Sequence, residues 1–285
     1  MKRKIKTNKR TRLKAPKASR TSERVFASEV EAMIEMMGRI FKNQAIKSLN
    51  VSTVNKFADV APQAFADVQT GNFASIFLKL ARAARKKLVS RFNNSRIEAM
   101  VDKVLAASDD KTRDRLYAQI EKAVGISAKE LAATEGMKSF RNALIKETAT
   151  WIQKTRDETL EYFTANSLRA MTLGEGLDTV MSNFDGMVEE RKNHGRFVAQ
   201  NQINNYNSIM TKTRAQELGV TKARWITEGD DKVRHSHADR DGKVFDLAKG
   251  CYSHVDGLWL LPQVDYNCRC DYELILDDED DEPVE

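Results

Sequence analysis

The chain has 285 residues and a net charge of +6, with 41% hydrophobic and 31% charged residues. Its 13 Gly and 4 Pro exclude collagen-like and Pro-rich chains, and 3 Cys are too few for a disulfide scaffold of this length. No stretch of about 18 apolar residues occurs, so no membrane span is expected. The basic N-terminus lacks a following apolar run, which argues against a secretory signal and for folding in a reducing cytosol.

The charge is unevenly placed. Residues 1–24 carry eleven Lys and Arg against one acid, Glu23, whereas residues 271–285 carry nine Asp and Glu and no base. In the first stretch only Ile5 and Leu13 offer core anchors, and Pro16 interrupts any helix. Residues 1–21 are therefore expected to be a disordered basic arm, and residues 277–285 a disordered acidic tail. Lys2, Arg3, Lys4, Lys6, Lys9, Arg10, Arg12 and Lys14 suit sequence-independent contact with the phosphates of double-stranded DNA. A solvated arm that aids solubility is the alternative.

Residues 22–195 read as a helical region. Thr21-Ser22 before Glu23 marks a helix start, and Val25, Phe26, Met33, Met36, Met37, Ile40 and Phe41 recur at helical spacing. Ile76, Phe77, Leu80, Ala84 and Leu88 form a second stripe, and Ile97, Met100, Val101, Val104, Leu105, Leu116 and Ile120 a third. Ser108-Asp109-Asp110 is expected to break that third stretch and cap a new helix. Ser127 with Glu130 resembles a capping box. Residues 137–171 give the longest amphipathic run. A turn at 172–176 precedes a helix over about 177–190 that His194-Gly195 ends, and a last helix spans 196–218. Its Gln200, Asn201, Gln202, Asn204, Asn205 and Asn207 read as an exposed face or a hydrogen-bonding face toward a partner.

After Gly219 the texture changes to aromatics, Gly and β-formers. Ala223–Thr227, Lys243–Phe245, Leu258–Leu261 and Tyr272–Leu276 read as short strands, with Asp241-Gly242 as a hairpin signal. The fold class is α+β: a mainly helical N-terminal region followed by a small C-terminal module, residues 196–276, with short antiparallel strands.

Within that module Trp225, Thr227, Asp230 or Asp231, Arg234, His237, Asp241, Gly242, Pro262, Asn267, Cys268, Arg269 and Cys270 occur in one order. This resembles the phage head-morphogenesis, Mu F-like family, across about Asn201 to Ile275. Members carry a Trp-Thr strand, an Arg-x-x-His segment, a Gly turn and a closing Pro…Asn-Cys-Arg-Cys. The chain departs from the pattern at Asp265, where many members have His. The resemblance implies a minor head protein of a tailed phage, inside the capsid and associated with the portal protein. It would act in head assembly, DNA packaging or DNA ejection by binding, in contact with portal, capsid interior or scaffold, and DNA. Trp225, Arg234, His237, Asp241, Gly242, Pro262, Asn267, Cys268, Arg269 and Cys270 would then be structural residues of the module.

The cysteines and histidines admit several readings. His235 and His237 are two apart, as are Cys268 and Cys270, so each pair shares a face if it lies on a strand. A hairpin facing a closing strand would bring the four together as a tetrahedral Zn²⁺ set, with Asp265 or His254 as a substitute ligand. Buried small hydrophobes beside a hydrogen-bonded structural histidine are an alternative, and a disulfide involving Cys251 is another. Arg234, Arg269, Asp230 and Asp241 suit either an ion-pair network or the lining of a nuclease-like or transferase-like cleft around His237. A general DNA-binding protein is the remaining reading.

Overall fold

The computed structural model describes residues 12–49, 66–125, 135–175 and 177–276. The elements run in the order β1 (Arg12–Lys14), α1 (Arg20–Phe41), α2 (Ala66–Arg91), α3 (Asn94–Val124), α4 (Glu135–Thr172), α5 (Leu177–Glu217), β2 (Lys222–Ile226), α6 (His235–Arg240), β3 (Val244–Asp246), β4 (Cys251–Ser253), β5 (Leu258–Leu260) and β6 (Asp271–Ile275). A π-helical turn, Lys42–Ile46, and a 3₁₀ turn, Lys47–Leu49, extend α1. The expected α+β class holds, with helices before a small antiparallel module. Residues 1–11 with Lys2, Arg3, Lys4, Lys6, Lys9 and Arg10, the capping box at Ser127, and the acidic tail lie outside the described residues.

The chain forms two compact units. One comprises Ala27–Met100 and Ala149–Val198. Its centre is aromatic: Phe41 stacks on Phe184 at 5.8 Å, and Phe163 and Phe77 lie 5.7 and 6.4 Å from Phe41. One comes from each of α1, α2, α4 and α5, from the face that its helix buries. Where α1 passes α5, both helices present glycine. A Cβ on Gly38 would meet Val188 Cγ2 at 2.4 Å, and one on Gly195 would meet Ile34 Cδ1 at 2.4 Å. Gly195 therefore does not end a helix, contrary to the sequence expectation; α5 runs unbroken from Leu177 to Glu217. Arg156 is buried and donates to the Phe92 carbonyl (2.7 Å) and to Asn94 Oδ1 (3.1 Å), pinning the α2–α3 turn. Asn93 Oδ1 accepts from the Arg96 N–H at 3.0 Å and caps α3.

The other unit comprises Met1–Phe26, Val101–Thr148 and Ala199–Glu285. Its sheet has the order β1-β6-β2-β3, all antiparallel, and β4-β5 form a separate ribbon. Trp225 pairs with Tyr272, and Ala223 lies between Leu274 and Phe245. Alternation along β2 buries Ala223 and Trp225 on one face. Leu116 and Ile120 of α3 and Ala215 and Leu218 of α5 join that core.

Three expectations are corrected in this unit. The arm is not disordered through residue 21: Arg12–Lys14 form an edge strand on β6, with Leu13 buried and Arg12 and Lys14 facing out, and α1 starts at Arg20. Leu13, Ala15 and Ala18 bury enough apolar surface to hold the segment down. Ser108-Asp109-Asp110 does not break α3. Its polar groups are internal instead: Thr112 Oγ1 donates to Asn207 Oδ1 (2.7 Å), Asn207 Nδ2 to Ser108 Oγ (3.0 Å), and Arg214 pairs with Asp109 at 2.7 Å. The Asn-rich stretch of α5 accordingly turns inward at Asn207, which is fully buried. A buried amide with these partners satisfies its donors and acceptors without water.

Candidate functional site

The site is built on β2, α6 and the loop entering β6. Asp241 ends α6 and accepts from the Thr227 N–H at 2.7 Å. Gly242 follows at φ +74°, and its N–H reaches the Trp225 carbonyl at 2.9 Å. Asp241-Gly242 therefore closes α6 onto β3 and is not the two-residue hairpin expected from the sequence. The insertion carries His237 and Arg240, three apart and so on one helical face, and both are buried.

His235 and His237 are the second correction at this site. They lie on α6, not on a strand, and residues two apart on a helix point to different sides. His235 is exposed at the first helical position, while His237 is 3% exposed and packs edge-on to Trp225 at 5.5 Å. Cys268 and Cys270 are buried with Arg269 exposed between them, as in an extended chain. His237 Nδ1 lies 3.6 Å from Cys268 Sγ and 3.5 Å from Cys270 Sγ. Thus three of the four residues expected as ligands converge, and His235 is outside the group. All three cysteines are free thiols, and Cys251 on β4 takes no part in the convergence.

The departure from the family pattern proves informative. Asp265 Oδ2 sits 3.2 Å from His237 Nε2, the ring nitrogen that does not face the sulfurs. Arg234 binds the same Asp265 carboxylate and the Tyr266 carbonyl. Arg269 pairs with Asp230 through both guanidinium nitrogens, at 2.5 and 2.6 Å. The cationic residues singled out by sequence thus fix the loop and β6, while Asp241 serves as a cap. Pro262 is buried, and its carbonyl accepts from Ser208 Oγ at 2.7 Å. Asn267 adopts φ +52°, and its N–H binds Asn201 Oδ1 at 2.9 Å.

Sequence reasoning missed Arg240. It is fully buried, its guanidinium lies over the Trp225 ring at 5.4 Å, and it donates to the carbonyls of Ser236, Cys251 and Leu258 and to both oxygens of Asp256. One side chain ties α6, β4 and β5 together. Its place three residues after His237 was the available signal.

The electrostatics favour one thiolate beside the imidazole. The Cys268 thiol is held well below the usual range by the hydrogen bond from Cys270, with His237 and the Gln263 N–H adding to the effect against burial. Cys270 is pushed up by its hydrogen bond to Cys268 and by burial, and His237 is raised chiefly by its bond to Cys268. Cys251 is raised to about 11 by burial. The series Cys268–His237–Asp265 has the connectivity of a nucleophile, a base and an orienting acid. Cys268 is only 9% exposed and Cys270 3%, however, so the sulfurs face the interior and not an incoming substrate.

A helical chain ending in a Trp-Arg-His-Cys-Arg-Cys module has the build expected from the Mu F-like resemblance. Residues 97–273 match the Phage Mu protein F-like family, and the chain belongs to it. The match begins far upstream of residue 196, so α3, α4 and α5 are part of the family's region as well as the strands. The chain is also 22% identical over 267 residues to an "Uncharacterized protein" of Haemophilus influenzae strain Rd, covering 93% of this chain. It spans 56% of that protein's length. No solved structure matches the chain. None of the described helices is long and apolar enough to cross a membrane.

Proposed function

We propose that this chain is a minor head protein of a tailed phage, held inside the capsid at the portal, acting in assembly, DNA packaging or DNA ejection by binding. The family match over residues 97–273 carries the reading. The build of the module supports binding over turnover. Three of its arginines are paired with carboxylates of the same module: Arg234 with Asp265, Arg240 with Asp256 and Arg269 with Asp230. Its sulfurs are buried. A nuclease or transferase needs reactive groups open to substrate. In this reading the helices dock on portal or capsid, the module is a rigid knob, and the basic residues before β1 touch packaged DNA.

The test is quantitative mass spectrometry of purified virions beside emptied particles, with the chain counted against the portal protein. A few copies per virion are expected, and their loss from emptied particles would assign the protein to ejection with the DNA. Absence from virions overturns the reading.

A further inference from the structure

We propose that His237, Cys268 and Cys270 form a binding site for one divalent transition metal, Zn²⁺ fitting best. The inference does not rest on the head-protein reading. Among the described residues these are the side chains whose ligand atoms converge, all lying within 4.8 Å of one another. In a tetrahedral site with Zn–S near 2.3 Å and Zn–N near 2.0–2.1 Å, sulfur and nitrogen stand about 3.6 Å apart. The observed Nδ1–Sγ separations are 3.5 and 3.6 Å. Two thiolates and an imidazole are the borderline-soft set that zinc prefers.

The surroundings carry the argument further. Asp265 holds the His237 Nε2 side, the carboxylate–histidine arrangement that fixes a metal-binding ring with its other nitrogen forward. Arg234 in turn holds Asp265. The Gln263 N–H donates to Cys268 Sγ at 3.3 Å, which favours an anionic sulfur. Gln263 does so from φ +71°, a left-handed conformation that costs energy for a residue with a long side chain. An N–H held on Cys268 Sγ from a strained backbone suits an anionic sulfur, as two thiolates on a cation supply.

The experiment uses the untagged full chain, purified under reducing conditions, stripped with chelator and titrated with Zn²⁺ alone. One Zn²⁺ per chain is expected, and alkylation of Cys268 and Cys270, followed by mass spectrometry, should slow about tenfold or more. Cys251 should react at an unchanged rate and serves as the internal control. Co²⁺ added to the wild-type chain should give thiolate-to-metal charge-transfer absorption, a readout that needs no variant to fold. Cys270→Ser should abolish stoichiometric binding and His235→Ala should leave it intact. Asp265→Asn should keep the stoichiometry while weakening affinity about 10- to 100-fold, as for other groups that orient a ligand. Substoichiometric Zn²⁺ with no thiolate absorption from Co²⁺ overturns the proposal, as does binding that survives Cys270→Ser or is lost in His235→Ala.

Discussion

Arg240 is a charge with no exposure, so its energetics differ from those of the surface pairs around it. Its five N–H groups find three carbonyls and both oxygens of Asp256, and its plane covers Trp225. Burial of a guanidinium is tolerable only with that degree of satisfaction. Removing the charge while leaving Asp256 and the carbonyls in place strands several acceptors at once. Arg240→Met is expected to destabilise the protein by about 3–5 kcal/mol, the range for breaking a buried pair. Arg240→Lys should recover little of it, because an ammonium cannot reproduce the planar fork. Urea unfolding of the three proteins measures both. By contrast Arg269 and Asp230 are each well exposed, so Arg269→Ala should leave stability nearly unchanged in the same experiment.

At the scale of elements, the two glycines between α1 and α5 pose a contest of known magnitudes. Alanine is favoured over glycine inside a helix by about 1 kcal/mol. The new methyl at residue 38 would lie 2.4 and 3.2 Å from the two branches of Val188. Valine is β-branched and held in one rotamer in a helix, so it cannot swing clear. Overpacking of this kind costs about 1–3 kcal/mol, so Gly38→Ala should be net destabilising. Val188→Ala in the same chain should relieve part of the loss. At Gly195 the obstacle is the terminal methyl of Ile34, the far end of a more flexible side chain, and Gly195→Ala should be milder. Thermal melts of the two single variants and the 38/188 double variant decide the ranking.

The same contacts show what the sequence left readable. Strands β2, β3 and β6 were legible because alternation and aromatics mark a half-buried sheet, and β5 by its apolar run before Pro262. Both helix breaks were misplaced because the signals used, Ser-Asp-Asp and His-Gly, are local. At 108–112 the polar groups answer Asn207 and Arg214, about 100 residues away, and Gly195 answers Ile34, 161 positions earlier. His237, Cys268 and Cys270 were legible as types. The helical setting that removes His235 from the set was not, since six residues between two loops show no periodicity.

Across the whole molecule the charge separation sets the last test. The basic stretch was expected to act as one arm, but β1 divides it. From Arg12 onward it belongs to the sheet: Leu13 faces Leu274 across the ladder, the Ala15 N–H reaches the Tyr272 carbonyl at 2.9 Å, and Lys14 and Lys17 stand 3.4 and 3.6 Å from the buried Asp271. Six of the eight cations assigned to DNA precede that strand. Deleting residues 1–11 should therefore leave the melting temperature unchanged, whereas deleting 1–19 also removes Leu13, Ala15 and Ala18 and uncovers β6. Loss of a buried leucine alone is worth about 1.5–3 kcal/mol, so the longer deletion should melt clearly lower. If the arm binds duplex DNA, each phosphate contact contributes about 0.9 to the slope of log K against log salt. Removing six cations should then lower that slope by at most about five and leave the sheet intact. Equal affinity and slope for the full chain and the 12–285 protein, measured by fluorescence anisotropy on duplexes of unrelated sequence, would refute a DNA-binding arm without touching the family assignment.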